Sequence, residues 1–512
     1  MRKTAKIYYT SDVHGYLFPS AYTERSEKPA GLLNCIANYQ KDGNTLVLDG
    51  GDTLQGSPMA IYLSAGRKEG LEAEHAIADV FNAGGYDAVT LGNHDFNFGY
   101  EYLEHHLNAL NARCICANVR DRKGRLGVIS SQVFTMENGL RLGVTGVVTD
   151  FVNVWEQPEH MRDLEVTDAF SAAERELECL KAISDVTVCI YHGGYECDLE
   201  TGDLLSESGE NVGCRILREL DFDVLLTAHQ HMMVPVRKIS GTTTLQLPAN
   251  AVCYAKLEIA CEDGEVSVSA SIDPAGEIHD EEPYRSLLPL EQRVQQWLDE
   301  KAGSLEEDIP RQSKLAMALQ GSRVADFFNQ LQLEYSGADL SCVGLGNTPM
   351  GLAKRVTTRD IVSVYPFANT LVVLEVDETV MKKALERCAE YFTVENGEVR
   401  VSDVFLKPKV EHYNYDFFAG ISCEFDLRRP VGDRVTKLLY GGAPIGGRKL
   451  TLCMSDYRAS GTGGYDFYRK CRVVKRIGSE VPQMALRYLR EHETVQIETR
   501  SDLSVVWSLA SI

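Results

Sequence analysis

Five short apolar runs in the first half of this chain each stop just before histidine, aspartate or asparagine, and this pattern most constrains the fold. The runs are residues 7–10 before Asp12 and His14, 46–48 before Asp52, 88–91 before Asn93, His94 and Asp95, 186–190 before His192, and 224–226 before His229 and His231. Runs of this length are typical of buried strands. Side chains beyond the carboxyl ends of such strands meet in one crevice, so the sequence predicts a shared polar site.

Segments with helical periodicity separate these runs. The clearest are residues 32–40, 71–83, 100–110 and 168–181. This alternation predicts an α/β fold, a sandwich built around mostly parallel or mixed strands. Near residue 240 the pattern changes to consecutive strands at residues 243–247, 256–259 and 265–272. We therefore expect the first domain to occupy residues 1–285.

The next stretch predicts a connector between two domains. Residues 287–305 form an amphipathic pattern containing Trp297, and acidic residues and Pro310 follow it, so we assign residues 286–311 to a connector helix and linker. The second domain is expected to span residues 312–512. It mixes strand and helix patterns, and its densest signals are the aromatic and glycine-rich segments 412–416 and 456–466.

Charge and cysteine usage limit the classes of partner. The formal net charge of −22 argues against binding nucleic acid or an anionic membrane surface, since both need a basic face. Residues 1–6 are basic but lack the apolar segment of a secretory signal, and no apolar run reaches the roughly 18 residues of a membrane span. Most of the fourteen cysteines lie in apolar runs and are expected to pack there. These features predict a cytoplasmic protein, unless a leader was removed.

The polar residues at the strand ends suit two divalent ions. The candidate ligands are Asp12, His14, Asp52, Asn93, His192, His229 and His231. A two-metal centre needs one carboxylate that contacts both ions, and Asp52 suits this role because Gly50 and Gly51 let the backbone come close. We expect Asn93, His192 and His229 on the second ion and the others on the first. Mixed nitrogen and oxygen ligands favour Mn, Fe, Zn or Co.

A single histidine or aspartate at a strand end is more often a cap or a surface group than a ligand. The metal interpretation therefore depends on recurrence at five strand ends. In chain order, Asp12-x-His14, Gly51-Asp52, Gly92-Asn93-His94-Asp95, His192 and His229-x-His231 resemble the motifs of the calcineurin-like metallophosphoesterases. The second half resembles the C-terminal domain of the 5'-nucleotidase family. This resemblance implies a four-layer α/β/β/α sandwich followed by an α/β domain.

The resemblance also implies hydrolysis of a small-molecule nucleotide. Residues 52–58, 92–99 and 365–371 are most similar to the 2',3'-cyclic-nucleotide 2'-phosphodiesterase/3'-nucleotidase branch. The alternatives are a 5'-nucleotidase, a nucleotide-sugar or dinucleotide pyrophosphatase, and a non-catalytic ligand-binding protein. Asn97 favours the first branch, because the 5'-nucleotidase branch has aspartate there. An amide orients His94 but adds no charge, which leaves open what polarises it.

Further site residues follow from the resemblance. His94 would act as the general acid that protonates the leaving oxygen, and Asn93 would help stabilise charge on the phosphoryl oxygens. Tyr413 and Tyr457 match the positions at which family members stack the base between two rings. Asp466 and Asn347 match positions that face the ligand, although aspartate and asparagine beside glycine are also ordinary turn formers.

Overall fold

The first unit of the fold, Met1–Gln295, is built from short strands. The computed structural model of the chain describes residues 2–66, 75–206, 208–277, 282–367, 369–407, 409–499 and 502–507. The strands of this unit are β1 (Lys3–Thr10), β2 (Ser20–Ala21), β3 (Ser26–Glu27), β4 (Thr45–Asp49), β5 (Ala88–Val89), β6 (Arg113–Cys114), β7 (Val119–Asp121), β8 (Ser131–Thr135), β9 (Arg141–Val148), β10 (Leu164–Val166), β11 (Val186–His192), β12 (Val224–Thr227), β13 (Val234–Ile239), β14 (Thr242–Gln246), β15 (Cys253–Glu262) and β16 (Glu265–Pro274).

Helices flank these strands. They are α1 (Leu32–Ile36), α2 (Pro58–Gly66), α3 (Ala76–Ala83), α4 (Tyr100–Ala109), α5 (Val152–Trp155), α6 (Ala169–Lys181), α7 (Gly213–Glu219) and α8 (Tyr284–Asp299), with a 3₁₀ helix at Asn93–Phe96. Asp168 begins α6 by accepting the backbone N–H of Ser171, as expected of an N-cap aspartate. The predicted helix at residues 32–40 ends early, at Ile36, and residues 71–74 of the predicted helix 71–83 lie outside the described residues.

Two mixed sheets form the centre of the first unit. Within the described residues, one has the strand order β16-β15-β1-β4-β5-β6 and the other β13-β14-β12-β11-β9-β8. Strands β1, β4, β5 and β6 are parallel, as are β9, β11, β12 and β14. Apolar side chains of both sheets, including Ile7, Leu48 and Val188, form a shared core. The α/β fold class predicted for this half is therefore confirmed, and the parallel strands deliver their carboxyl ends to a common edge.

The second unit, Gln296–Ile512, has its own elements. Its strands are β17 (Lys301–Ser304), β18 (Leu340–Gly344), β19 (Arg355–Thr357), β20 (Leu371–Val376), β21 (Phe392–Glu395), β22 (Glu398–Val401), β23 (Asp416–Ala419), β24 (Ile421–Asp426), β25 (Val435–Tyr440), β26 (Ala443–Pro444), β27 (Leu450–Ser455), β28 (Arg472–Ile477) and β29 (Asp502–Val506). Its helices are α9 (Lys314–Gln320), α10 (Arg323–Ser336), α11 (Thr358–Val364), α12 (Glu378–Ala389), α13 (Asp456–Ala459) and α14 (Val481–Glu491), with 3₁₀ helices at Asp403–Phe405, His412–Asn414 and Asp466–Lys470.

A central sheet of order β23-β18-β27-β20-β28 organises this unit. Strand β18 runs parallel to β27 and antiparallel to β23. The carboxyl ends of β18 and β27 therefore lie at the same edge as the amino end of β23, and the loops at this edge are the aromatic and glycine-rich segments. In the part of the chain that the structure describes, no helix is both long enough and apolar enough to cross a membrane.

The structure corrects the prediction of one helix over residues 287–305. Helix α8 ends at Asp299, and Lys301–Ser304 form β17, which pairs antiparallel with β19. A Cβ at Gly303 would lie 2.5 Å from the carbonyl oxygen of Leu489 in α14. This close approach needs glycine and an extended strand, and the helical periodicity of the sequence carries no sign of it.

Two cysteines in apolar surroundings form a bond that the sequence analysis does not predict. Cys197 and Cys214 form a disulfide across a separation of 17 residues. The other twelve cysteines are free, and most are buried. Nothing in the spacing of the two bonded cysteines resembles a motif, so their pairing depends on the fold that brings them together.

Candidate metal centre

The seven predicted metal ligands lie together in the first unit. Their ligand atoms form two groups, within each of which all atoms lie within 4.8 Å of one another: Asp12, His14, Asp52 and His231 in one group, and Asp52, His192 and His229 in the other. Asn93 joins the second group, because its Oδ1 lies 2.8 Å from Nδ1 of His229 and 3.2 Å from Nε2 of His192. Asp52 is common to both groups, the geometry expected of a carboxylate shared by two cations.

The backbone at this site is unusual. Among the described residues, eleven that are not glycine have a positive φ, and five of them belong to the candidate set: Asp12, His14, Asp52, His229 and His231, with φ between 52° and 74°. Each such residue costs about 1–3 kcal/mol, and such strain gathers at functional sites. In this conformation the chain turns sharply after β1, β4 and β12, which brings side chains from both sheets toward one point.

Three of the four imidazole rings, those of His14, His192 and His229, are held so that one nitrogen of each faces the site. The outer nitrogens are fixed by Nδ1 of His14 donating to the carbonyl of Gln55 (2.6 Å), Nδ1 of His192 to the carbonyl of Gly50 (2.6 Å), and Nε2 of His229 to Oε1 of Glu210 (2.9 Å). In a neutral ring whose outer nitrogen carries the proton, the inner nitrogen keeps its lone pair. Acceptors of this kind orient metal-ligating histidines in proteins.

The carboxylates of Asp12 and Asp52 each have one oxygen without a hydrogen-bond partner. Asp52 accepts the backbone N–H of His94 at Oδ1 (2.7 Å), and Asp12 accepts that of His229 at Oδ1 (3.0 Å). Oδ2 of each carboxylate is buried and has no hydrogen-bond partner. Leaving a buried charged oxygen unsatisfied is costly, and a bound cation would remove that cost. The donor set, nitrogen and oxygen together, fits divalent ions of the first transition row.

The same contacts shift the proton affinities of the site. Burial raises the pKa of Asp52, but the nearby His192 and His94 lower it more, to well below its usual value. For Asp12, burial is likewise outweighed by the hydrogen bond and charge of His231, and its pKa falls to about 2. Burial and His231 lower the pKa of His14 to about 4. Both carboxylates are therefore ionised at neutral pH, as cation binding requires.

Gly92 and Asp95 hold the loop that carries Asp52. A Cβ at Gly92 would collide with the Asp52 carboxylate and lie 2.6 Å from Cε1 of His192, so only glycine fits there. The buried carboxylate of Asp95 accepts the backbone N–H groups of Gly92, Asp52, Thr53 and Leu54 at 2.8–3.0 Å. These four hydrogen bonds join the loop that follows β4 to the loop that follows β5, and they fix Asp52 in place.

His94 lies beside the ligand group. Its ring centroid is 5.4 Å from that of His14, and its Nδ1 lies 2.7 Å from Oδ1 of Asn97. An amide oxygen can only accept, so Nδ1 of His94 donates to it. Nε2 is then the nitrogen that can exchange a proton with a ligand in the site.

Comparison with known proteins agrees with this arrangement. Residues 5–233 match the calcineurin-like phosphoesterase family, and residues 301–470 match the 5'-nucleotidase C-terminal domain. The solved structure of a Staphylococcus aureus protein assigned as a 5'-nucleotidase superposes on this chain with a TM-score of 0.92 and 33% sequence identity. The match covers 99% of this chain and 100% of that protein. The chain belongs to the 5'-nucleotidase family of calcineurin-like phosphoesterases. As a member of this family it is a phosphoester hydrolase that depends on divalent metal ions.

More distant relatives of this 5'-nucleotidase family member carry other names. The 2',3'-cyclic-nucleotide 2'-phosphodiesterase/3'-nucleotidase of Haemophilus influenzae is 24% identical over 89% of this chain and 80% of its own length. The trifunctional nucleotide phosphoesterase protein YfkN of Bacillus subtilis is 24% identical over 99% of this chain. The chain spans 39% of the length of YfkN.

The four predicted substrate-binding residues lie in connections between strands at one edge of the central sheet of the second unit, with Tyr457 in α13 and Tyr413 and Asp466 in 3₁₀ helices. Asn347 follows β18, Tyr413 precedes β23, and Tyr457 and Asp466 follow β27. Nδ2 of Asn347 donates to the carbonyl of Val410 (2.8 Å), which ties its loop to the segment leading to Tyr413. The motif at residues 365–371 leads into β20 at the same edge, with Ala368 outside the described residues.

A buried ion pair connects the two tyrosine loops. Nε of Arg458 lies 2.8 Å from Oδ2 of Asp416, and both side chains are almost fully buried. The same guanidinium donates to the carbonyls of Tyr413 (3.1 Å) and Thr462 (2.6 Å). Removing one partner of such a pair costs about 3–5 kcal/mol. Arg458, next to Tyr457, therefore fixes the loop of Tyr413 as well as its own.

Lys314 lies near this ion pair and gives a pH-dependent prediction. It is buried, donates to the carbonyl of Leu345 (2.9 Å), and burial lowers its pKa to about 7. Between pH 7 and the unfolded pKa of about 10.4, the unfolded state binds more protons than the folded state. The free energy of unfolding should therefore rise with pH, by about 1.4 kcal/mol per unit relative to Lys314→Met.

The measurement is urea unfolding of wild type and Lys314→Met at pH 7, 8 and 9. Pulsed hydrogen exchange in peptides of β18 and β23 reports the unfolding of the second unit. The difference between the two proteins isolates the lysine, because every other titrating group is common to both. The difference should increase steadily over this range. Parallel stability curves would show that Lys314 keeps an ordinary pKa in the folded protein.

Three residues near the site escaped the sequence analysis. Glu210 holds His229, Trp155 stacks on His229 with ring centroids 5.4 Å apart, and Glu156 contacts Asn97. Trp155 and Glu156 lie at the end of α5, and Glu210 lies in the segment between the disulfide-bonded Cys197 and Cys214. None follows a strand pattern, so no periodicity or motif in the sequence points to them.

Proposed function

We propose that this chain hydrolyses nucleotide phosphoesters with two divalent ions. One ion would be held by Asp12, His14, Asp52 and His231, and the other by Asp52, Asn93, His192 and His229. The observation that carries the proposal is the shared Asp52, whose buried Oδ2 has no hydrogen-bond partner and lies 3.2 Å from Nε2 of His192 and 3.9 Å from Nε2 of His14. The donor set favours Mn, Zn, Fe or Co.

Divalent ions bound here would supply a nucleophile at neutral pH and stabilise charge on the phosphoryl oxygens. The chain's own residues complete the reaction. The amide of Asn93 and the ring of His94, whose centroid lies 5.4 Å from that of His14, would contact the phosphoryl group, and Nε2 of His94 would protonate the departing oxygen as the ester bond breaks. Phosphoryl transfer requires positioning and electrostatic stabilisation rather than a protein nucleophile, which this arrangement can provide.

Within the family we propose 2',3'-cyclic-nucleotide 2'-phosphodiesterase and 3'-nucleotidase activity. Support comes from Asn97, which contacts His94 where the 5'-nucleotidase branch carries aspartate, and from the Haemophilus influenzae relative named for that activity. The alternative is 5'-nucleotidase activity, which the 33% identical Staphylococcus aureus protein favours by its assignment. Both activities use the same site and differ in which ester of the ribose reaches the metal ions.

We assign nucleotide binding to the second unit. Tyr413 and Tyr457 would stack on the two faces of the base, and Asp466 and Asn347 would bind polar groups of the nucleoside. Support comes from the shared sheet edge of their loops and from Arg458, which joins the loops of both tyrosines. The carboxylate of Asp466 lies 3.6 Å from the guanidinium of Arg469 and is 76% exposed, so it remains accessible to accept hydrogen bonds from ribose hydroxyls.

A substrate panel tests these assignments. We expect the metal-loaded enzyme to release phosphate or open the ring faster from 2',3'-cyclic AMP and 3'-AMP than from 5'-AMP, NAD or a nucleotide sugar, measured as kcat/KM. Tyr457→Ala should raise KM for the preferred nucleotide by roughly 5- to 150-fold, since base stacking contributes about 1–3 kcal/mol.

The control for that variant is p-nitrophenyl phosphate, which has no base, and its hydrolysis should be unchanged. Selective cleavage of 5'-AMP would refute the proposed specificity and leave the 5'-nucleotidase alternative. Equal losses on both substrates would refute the stacking role of Tyr457.

A further inference from the structure

The amide of Asn97 contacts His94 on one side and the carboxylate of Glu156 on the other. Nδ1 of His94 lies 2.7 Å from Oδ1 of Asn97, and Nδ2 of Asn97 donates to Oε2 of Glu156 at 2.7 Å. The other carboxylate oxygen, Oε1, accepts the backbone N–H of Gln157 at 2.7 Å and lies 2.8 Å from Nδ1 of His160. The Glu156 side chain is only 4% exposed, so these contacts define its surroundings.

The hydrogen bonds that link Glu156, Asn97 and His94 can have only one set of donors and acceptors. An ionised carboxylate only accepts hydrogen bonds, so Asn97 must turn its NH2 group toward Glu156. Its carbonyl oxygen then faces His94 and accepts the proton of Nδ1. The remaining nitrogen, Nε2, is directed to the ligand side of the ring, where a general acid has to hold its proton.

We propose that Glu156 is the positioning residue for His94 and acts through the amide of Asn97. Glu156 fixes which way the amide faces, and the amide fixes the tautomer and the orientation of the imidazole. Glu156, which reaches His94 only through Asn97, thus takes the part of the aspartate at position 97 in the 5'-nucleotidase branch. This inference rests on the proposed role of His94 as the acid.

Glu156→Gln tests the direction of the hydrogen bonds. The backbone N–H of Gln157 keeps the carbonyl of the new side chain at the Oε1 position, which places its NH2 group against the NH2 group of Asn97. Asn97 must then rotate its amide and present NH2 to Nδ1 of His94. The ring then carries its proton on Nε2 alone. Donating that proton would leave an imidazolate, and the NH2 group facing Nδ1 disfavours the imidazolium that could act as the acid.

The kinetic readout is the dependence on leaving group. With a nucleotide, whose alkoxide needs a proton, kcat for Glu156→Gln should fall by about 10-fold or more, up to the roughly 10²- to 10⁴-fold that a general acid contributes. With p-nitrophenyl phosphate, whose phenolate leaves unprotonated, kcat should stay near wild type. Glu159→Gln, an exposed neighbour in the same loop, is the matched control and should change neither rate. An equal loss on both esters overturns the proposal, because it would indicate a general structural role.

A double variant tests the same idea by rescue. In Asn97→Asp the new carboxylate faces Glu156, and the two negative groups repel each other, so activity on nucleotides should fall. In Asn97→Asp with Glu156→Gln, the introduced carboxylate accepts both from the glutamine NH2 group and from Nδ1 of His94, which restores the chain of contacts. The double variant should hydrolyse nucleotides faster than either single variant. Activity equal to or below that of the worse single variant overturns the proposal.

A readout that does not need activity is the ¹⁵N spectrum of the His94 ring in the metal-free protein, assigned by comparison with His94→Ala. The Nδ1–H tautomer should dominate in wild type and in the double variant, and should lose its dominance in Glu156→Gln. His94→Ala distinguishes failure of the acid role of His94 from failure of the positioning role of Glu156. If it shows no preference for esters with good leaving groups, the proposed acid role fails. If it shows that preference and Glu156→Gln does not, the acid role stands and the role of Glu156 fails.

Discussion

Asp52→Asn is expected to weaken metal binding at both positions by more than about 100-fold, the upper end of the loss caused by residues that merely support metal ligands. Asparagine keeps an oxygen to accept the backbone N–H of His94 but removes the charge from the oxygen that both ligand groups share. Hydrolysis should fall at least as far, because the site loses both ions together. Metal content after gel filtration, measured by inductively coupled plasma mass spectrometry, reports the binding directly.

Asp49→Asn provides a matched control three residues away. Asp49 is fully buried, and burial raises its pKa to about 8, so it is mostly uncharged at pH 7 and the substitution changes little of the local charge. This variant should keep wild-type metal content. Should Asp52→Asn retain one tightly bound ion per chain, Asp52 would serve one position only and the shared-ligand account would be wrong.

His94→Ala is expected to lower kcat on nucleotides by about 10²-fold or more, the usual contribution of a general acid. His94 is not in either ligand group, and its backbone N–H donates to Asp52. Alanine keeps that N–H, so metal content and most of the substrate affinity should remain. The measurement is kcat and KM on the preferred nucleotide, together with metal content of the same preparation.

The two readouts of this variant decide between roles. Loss of the metal ions in His94→Ala would make His94 a ligand and would leave the proton donor unidentified. Unchanged kcat with full metal content would mean that another group protonates the leaving oxygen. The second result would also remove the basis for a positioning role of Glu156.

Much of the first unit could be predicted from the sequence, because the chemistry there follows strand ends. Asp12, Asp52 and Asn93 follow β1, β4 and β5 within a few residues, and these strands are parallel in one sheet. Parallel strands end at the same edge, so residues far apart in the chain can be placed together without coordinates. The α/β fold class predicted from the alternation of strands and helices is confirmed, as are the family and the metal-dependent hydrolase class, which the resemblance of the motifs to a known family implied.

The support behind the ligands could not be predicted. Glu210, Trp155 and Glu156 act through distances set by loops, and loop geometry depends on tertiary packing that periodicity does not encode. The same limit explains the helix expected over residues 287–305, where packing of Gly303 against Leu489 imposes a strand. It also explains the disulfide, since Cys197 and Cys214 are near each other only in the folded chain.

The roles of the seven ligand candidates and of the nucleotide-binding residues remain predictions that the geometry supports. Tyr413 and Tyr457 are the least constrained of these, because only a shared sheet edge and one arginine connect them, whereas the metal candidates converge in two groups joined by Asp52. Variants of the two classes should therefore separate cleanly. Loss of a metal ligand lowers turnover of every ester, and loss of a stacking ring affects only substrates with a base.

Anomalous diffraction from crystals grown with Mn²⁺ tests the central claim most directly. We predict two anomalous peaks per chain, one on each side of the Asp52 carboxylate and roughly 3.5–4 Å apart, as in other two-metal hydrolases. One peak should contact the group of His14 and the other the group of His192. A single peak, or none between these side chains in crystals of active enzyme, would contradict the account.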